Sequence, residues 1–172
     1  MAKYFIGIGL PEKEEKLIGF TKQQFPEGRV TTTPPHITLI EPFYIKEENK
    51  LINDLENWAK NQKTFIINIK EVDSFKQLEY GTIFLAPMEK EELNNLQKGL
   101  LEELDYLPDR KDFIPHLTIA NGVGFDKMES AIERLKQMGI ELNLTVDRVI
   151  LFKMEKGNWY QNKLIWWSGS AG

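Results

Sequence analysis

The two histidines of this chain, the only ones among its 172 residues, stand in matching frames. One frame is Pro35-His36-Ile37-Thr38-Leu39, and the other is Pro115-His116-Leu117-Thr118-Ile119. Each alternates polar and apolar side chains, which is typical of a strand with one buried face. The proline in front of each histidine disfavours a helix there and helps to keep the chain extended. The fold must therefore provide two comparable strands, one in each half of the chain.

The rest of the pattern interleaves helices with strands. Hydrophobic periodicity predicts strands over 3–10, 29–39, 64–74, 82–86, 114–120, 142–154 and 159–167, and helices over 12–25, 47–60, 88–104 and 128–138. Alternation of this kind is also compatible with a parallel doubly wound sheet. However, no glycine-rich phosphate loop follows the first strand, and the last two strands read as an antiparallel hairpin around Gly157. We therefore predict an α+β fold that arose by diverged duplication, with two sheet-and-helix lobes facing each other across a cleft.

Composition and charge exclude several classes of function. The absence of cysteine removes disulfides, thiolate catalysis and thiolate zinc sites, and it fits a reducing, cytoplasmic setting. The net charge of −4 argues against binding duplex DNA, and no apolar run is long enough to span a membrane. Length predicts one domain over residues 1–167, expected to be monomeric. Residues 168–172 have the composition of a linker or tail.

The spacing of the motif residues suggests their chemistry. On a strand, side chains at positions i and i+2 point to the same face, so His36 projects with Thr38 and His116 projects with Thr118. Two such strands side by side would gather two imidazoles and two hydroxyls on one concave floor. One imidazole could accept a proton and the other donate one during in-line attack at phosphorus, while the hydroxyls bind the non-bridging oxygens. This chemistry needs no metal or other cofactor.

Two alternatives compete with catalysis. A single histidine on a strand is more often a structural residue whose ring satisfies backbone groups, and a structural α+β protein would bind no nucleotide at all. A binding module would hold a nucleotide or an RNA end without turning it over. Against the first alternative, every histidine in the chain falls in the same local pattern, which would require two independent coincidences.

The two motifs resemble the signature of the 2H phosphoesterase superfamily, which includes 2′-5′ RNA ligase-like proteins and RNA 2′,3′-cyclic phosphodiesterases. The resemblance covers nearly the whole chain, from the opening strand to the closing hairpin around Gly157-Asn158-Trp159. It implies a bilobal fold, with two antiparallel sheets lining a central cleft and helices outside. It also implies metal-independent chemistry at the 2′ and 3′ oxygens of a nucleotide, catalysed by His36, Thr38, His116 and Thr118.

The resemblance also suggests a substrate class. A small nucleotide or an RNA end is the expected partner, cut at a 2′,3′-cyclic phosphate or at a 2′-5′ or 3′-5′ phosphodiester, and degradation of cyclic oligonucleotide messengers is an alternative. Many RNA 2′,3′-cyclic phosphodiesterases carry an arginine shortly after the second motif, where this chain has Ile119-Ala120-Asn121-Gly122. This difference leaves the exact substrate open, and the chain resembles a small bacterial branch of the superfamily more closely. Which histidine is the acid and which the base depends also on the direction of the reaction and the orientation of the substrate.

Further side chains are candidates for binding the substrate. An aromatic side chain at the rim of the cleft could stack on a base, although core packing is the simpler expectation for Phe43. The candidates are Phe43, Tyr44, Tyr80, Asn121 and Trp159. Three basic residues, Arg29, Arg110 and Lys111, could contact phosphate or simply remain solvated.

Overall fold

The fold is given by a computed structural model that describes residues 1–110 and 112–168. Its elements are, in chain order, β1 (Ala2–Gly9), α1 (Glu12–Gln23), β2 (His36–Ile45), α2 (Glu48–Ala59), β3 (Phe65–Lys76), β4 (Gly81–Pro87), α3 (Glu91–Glu103), β5 (Leu117–Val123), α4 (Phe125–Met138), β6 (Leu142–Val146), β7 (Arg148–Glu155) and β8 (Asn158–Trp166). The predicted α+β class and the interleaving of strands with helices are confirmed.

These strands form one antiparallel sheet in the order β6-β3-β4-β5-β2-β1-β7-β8. The pairing between the two middle strands is short, because β2 and β5 pair at a single position, Ile37 with Leu117. We call β2-β1-β7-β8 the first half-sheet and β5-β4-β3-β6 the second. The two predicted antiparallel sheets thus exist as two four-stranded halves, joined through a single bridge into one continuous sheet.

The strand predicted over 142–154 is divided at Asp147. β6 pairs with β3 in the second half-sheet, whereas β7 pairs with β1 in the first, so the chain crosses between halves at that residue. The backbone N–H of Trp167 donates to the Asp147 carbonyl, and the Trp167 indole donates to the carbonyl of Val146. The periodicity of the sequence shows that these residues are extended, but it does not show which half-sheet each one joins.

The helices α1 to α4 pack on one face of the sheet. Their inward residues share a continuous core with strand residues from both halves, including Ile37, Leu39, Leu117 and Ile119, each at most 4% exposed. The motif positions predicted to point into the core therefore do so. The opposite face is left for the cleft. Within the described ranges, no helix is long and apolar enough to cross a membrane.

Candidate active site

The single bridge between the half-sheets is the centre of the site. Because Ile37 and Leu117 pair in an antiparallel register, His36 lies opposite Thr118 and Thr38 lies opposite His116. The bridging residues point into the core, so these four side chains lie on the cleft face, where all are half-buried. The structure thus brings together the two imidazoles and the two hydroxyls at the junction of the halves.

The ring of His36 is held from two sides. Its Nδ1 lies 2.8 Å from the carbonyl oxygen of Pro34. Its centroid lies 4.7 Å from that of Phe5 and 5.4 Å from that of Phe152, whose rings stack on each other at 4.3 Å. These phenylalanines come from β1 and β7, so the first half-sheet supplies the support for its own histidine.

His116 has the corresponding environment in the second half-sheet. Its Nδ1 lies 2.8 Å from the carbonyl oxygen of Ile114, again two residues earlier. Its ring centroid lies 4.9 Å from that of Phe75 and 5.2 Å from that of Phe84. A carbonyl oxygen can only accept, so Nδ1 of each histidine must be the protonated nitrogen. Nε2 of each ring is therefore the nitrogen available to a substrate.

The two-phenylalanine support has an electrostatic consequence for His36. Burial removes water from the imidazolium and is the largest cause that lowers the pKa of His36 to about 4. The hydrogen bond to Pro34 opposes that shift, and the positive charges of Lys22 and His116 add to it. At neutral pH, His36 is therefore a neutral imidazole with Nε2 free to accept a proton.

This lowered pKa makes folding stability depend on pH. An unfolded histidine binds a proton below about pH 6.5, whereas folded His36 does not do so until about pH 4. The unfolded state thus holds more protons in this interval, so the free energy of unfolding falls as the pH falls from 6.5 toward 4. We expect His36→Gln to flatten this slope between pH 7 and pH 5, measured by urea unfolding.

The matched control for that measurement is Thr145→Val, at an exposed position on β6, which keeps His36 and its charged neighbours in place. It should retain the wild-type slope over the same interval, because it changes no group that binds a proton. An unchanged slope in His36→Gln would show that His36 is protonated alike in the folded and unfolded states.

A β-bulge follows each motif. In β2, Ile6 pairs with Ile40 and Gly7 with Thr38, so one extra residue lies on the motif strand. In β5, Ile83 pairs with Ala120 and Phe84 with Thr118, which is the same irregularity. Both bulges place two consecutive apolar residues in the core. The fifth residue after each histidine returns to the cleft side as a result: Glu41 in β2 and Asn121 in β5.

Two of the five binding candidates are tied to the second half-sheet. Asn121 accepts a hydrogen bond from the Thr82 hydroxyl through its side-chain oxygen at 2.7 Å. Tyr80 stacks under the guanidinium of Arg29, 4.4 Å from its ring centroid. Asn121 therefore lies beside Thr118 on the cleft side, while Tyr80 anchors the segment that precedes His36.

The other three candidates belong to the first half-sheet. Trp159 meets Phe5 edge to face at 4.7 Å and so packs against the support of His36. Tyr44 is exposed at the far end of β2, where Lys3 lies over its ring. Phe43 is 8% exposed and packs in the core beside Tyr4, so it does not reach the cleft. Its burial follows from a second register shift in β2, between the pairs Ile6–Ile40 and Tyr4–Phe43, which turns Phe43 back to the core side.

The three basic candidates also differ in position. The backbone N–H of Arg29 donates to the Asn121 carbonyl at 2.7 Å, so this residue crosses the end of β5. The guanidinium of Arg110 approaches the Glu41 carboxylate at 4.0 Å. Lys111 lies outside the described residues, as do residues 169–172 of the predicted tail.

A cavity of about 280 Å³ opens beside Thr38 and His116. Its lining is Thr38, Leu39, Glu41, Phe75, Gln97, Pro108, Arg110, Asp112, Phe113, Ile114 and His116. Sequence reasoning places the two motif residues in the cleft but does not single out Gln97 or Phe113. The signal available for Glu41 was its position five residues after His36, which is the position of Asn121 after His116.

The described residues contain no group of three or more histidine, cysteine, aspartate or glutamate side chains arranged to hold a metal ion. Two carboxylate residues, Glu41 and Asp112, line the cavity, and Glu41 faces Arg110.

Comparison with known proteins places this arrangement in a family. The model of the 2′-5′ RNA ligase superfamily matches residues 12–158. A relative from Halalkalibacterium halodurans, with the provisional name phosphoesterase BH1439, is 30% identical over 132 residues, which cover 75% of this chain and 77% of the relative. A second from Shouchella clausii, provisionally phosphoesterase ABC1741, is 33% identical over 139 residues, covering 77% and 80%.

Solved structures share the fold at low sequence identity. Escherichia coli LigT, solved with 3′-AMP, superposes with a TM-score of 0.67 at 14% identity, covering 97% of this chain and 98% of LigT. TT0787 of Thermus thermophilus gives a TM-score of 0.67 at 18% identity, covering 98% and 100%. LigT has also been solved with NADP⁺ and with ATP. These likenesses confirm the predicted bilobal architecture.

Proposed function

This chain belongs to the 2′-5′ RNA ligase superfamily, and on that basis we propose that it is a phosphoesterase that opens 2′,3′-cyclic phosphates on nucleotides or RNA ends. The proposed catalytic groups are His36, Thr38, His116 and Thr118. Opening the ring and cleaving a 2′-5′ or 3′-5′ phosphodiester require the same two proton transfers. Ligation in the reverse direction uses them too, but bulk water favours hydrolysis.

One observation carries this proposal: two identically held imidazoles lie beside two hydroxyls at the single bridge between the half-sheets. Each Nδ1 is occupied by a backbone carbonyl, which leaves one Nε2 from each half for the substrate. A purely structural histidine needs a hydrogen-bonding partner but has no reason to be duplicated across a cleft. An acid and a base acting on opposite sides of one phosphorus need this arrangement.

We assign the base role to His36, because its lowered pKa keeps it neutral, and this leaves the acid role to His116. Nε2 of neutral His36 takes a proton from water as the water oxygen bonds to phosphorus. The bond from phosphorus to one ribose oxygen breaks, and protonated His116 gives that oxygen its proton. The hydroxyls of Thr38 and Thr118 donate to the non-bridging oxygens as their negative charge grows. One water is consumed, a phosphate monoester forms, and the two histidines regain their starting protonation through solvent.

The substrate class is supported by the site and by the fold relatives. LigT has been solved with small nucleotides, and the cleft of this chain has a cavity beside the proposed acid. Degradation of cyclic oligonucleotide messengers would use the same four groups. A non-catalytic nucleotide-binding module is the second candidate function, favoured by the cavity but not by the presence of both complete motifs.

The proposal is tested by incubating the purified protein, in excess chelator, with the four 2′,3′-cyclic nucleotides, a 2′-5′ dinucleotide and cyclic oligonucleotides. We expect ring opening of the 2′,3′-cyclic nucleotides to a monophosphate, at a rate that chelator does not change. Turnover restricted to cyclic oligonucleotides would favour messenger degradation. Nucleotide binding without turnover of any compound would favour the binding module.

A further inference from the structure

The cleft is built by two corresponding halves, yet the 280 Å³ cavity described above lies on one side of it. In each half, a segment leads from a helix to the motif histidine and crosses the motif strand of the other half. We call residues 24–35 the first crossing segment and residues 104–115, described except for residue 111, the second. The difference between these two segments determines the shape of the cleft.

The first crossing segment lies tightly on β5. A side chain at Gly28 would place its Cβ 3.0 Å from the Cβ of Ala120, so glycine is needed for this close approach. The next residue, Arg29, donates its backbone N–H to the Asn121 carbonyl and covers Gly122 with its side chain. Contact this close leaves no room for a ligand between the segment and the strand.

The second crossing segment stands away from β2. Its contact with Glu41 is made by the long side chain of Arg110 at 4.0 Å, where the first crossing segment uses its backbone. The cavity lies between this segment and β2, and Gln97 of α3 also lines it. Thr38 and His116 line the cavity, whereas His36 and Thr118 do not.

We propose that this cavity is the nucleobase subsite of the cleft, with Gln97 as its base-reading residue. This inference rests on the phosphoesterase function proposed above and fixes the direction in which the nucleotide lies: base and ribose on the His116 side, attacking water on the His36 side. The ribose oxygen that leaves is then next to His116, the proposed acid.

The lining has the chemistry of a base site. Phe75, Phe113 and Pro108 provide apolar surface for a flat ring, against which bases stack with little dependence on sequence. Gln97 offers an amide donor and acceptor together, which can form two hydrogen bonds with one base edge, and Arg110 offers a planar set of donors. The cavity volume is close to the lower limit of about 300 Å³ for small-ligand sites.

The test measures binding, so that it does not depend on turnover. The wild-type protein, Gln97→Leu and Phe113→Ala would each be titrated with the four nucleoside 3′-monophosphates, and the Kd values compared. Gln137→Leu, on the exposed face of α4, is the matched control. Thermal unfolding of each variant establishes that it is folded.

We expect the wild-type protein to prefer one base by about tenfold or more, since a correctly paired base edge is worth about 1–3 kcal/mol. Gln97→Leu should remove that preference, and Phe113→Ala should weaken the binding of all four nucleotides. Gln137→Leu should leave all four Kd values unchanged. Equal Kd values in the wild type, or an unchanged preference in Gln97→Leu, would overturn the subsite. A preference removed by Gln97→Leu, in a protein that turns over no nucleotide, would support the subsite and refute the catalytic proposal.

Discussion

Replacing either histidine by alanine should reduce kcat/KM for the cyclic nucleotide on the order of 100-fold or more, because each variant lacks one of the two proton transfers. His36→Ala removes the group that accepts the proton of water, and His116→Ala removes the group that protonates the leaving oxygen. Neither change should unfold the protein, since both rings are half-buried on the cleft face and lie outside the main core.

The double variant gives this prediction a sharper form. The effects of groups that act together in one transition state are not additive. The fold-reduction of kcat/KM in His36→Ala/His116→Ala should therefore be clearly smaller than the product of the two single fold-reductions. Steady-state kinetics of the three variants, with thermal unfolding as the folding control, provides the numbers. Either single variant retaining more than about a third of wild-type kcat/KM would remove that histidine from the mechanism.

Replacing either motif threonine by valine should lower kcat by about 100-fold, the usual effect of removing one donor to a developing oxyanion. Valine keeps the shape and β-branching of threonine, so the strands and the histidine positions should be retained. The substitutions should lower kcat and change KM much less, because charge builds on the non-bridging oxygens mainly in the transition state. The variants are Thr38→Val and Thr118→Val.

The matched control for the threonines is Thr145→Val, an exposed position on β6 in the second half-sheet. This substitution should leave both kinetic parameters within about twofold of the wild type, as surface changes usually do. An equal rise in KM for Thr38→Val and Thr118→Val, at unchanged kcat, would mean that the hydroxyls bind the ground state and do not stabilise the transition state.

Much of the fold follows from local pattern. The alternation around His36 and His116 predicts strands with the histidines on the free face, and the structure has them there because the intervening Ile37 and Leu117 are each fully buried. The helices can also be predicted from the sequence, since their leucines recur at helical spacing and pack in the shared core. The division of the predicted strand 142–154 at Asp147 could not be predicted from the sequence. The alternation of buried and exposed side chains is the same whichever half-sheet a strand joins.

The candidate site shows the same limit. Which groups meet at its centre is predictable from two repeated motifs, but their surroundings depend on long-range packing. The phenylalanines around His36 come from β1 and β7, at opposite ends of the chain, and give no local signal. The β-bulges that return Glu41 and Asn121 to the cleft side depend on strand pairing. For the same reason, sequence reasoning left Phe43 as a possible cleft residue, and the structure places it in the core.

The difference between the acid and the base likewise depends on the three-dimensional surroundings. The sequence presents the two motifs as equivalents, and the Nδ1 contacts of the two histidines are indeed alike. Burial against Phe5 and Phe152, with a contribution from Lys22, lowers the pKa of His36 to about 4, and this difference is the reason why we propose His36 as the base.

The pH dependence of kcat/KM for 2′,3′-cyclic nucleotide hydrolysis, measured in chelator from about pH 3.5 to about pH 9, tests paired-histidine catalysis most directly. The base must be neutral, so activity should rise with pH through about 4, the pKa of His36, and this acidic limb should lie well below the ordinary histidine value of about 6.5. Activity should fall again at higher pH, where the acid loses its proton, to give a bell-shaped profile. A flat profile across the whole range, or activity that chelator abolishes, would contradict catalysis by this pair of histidines.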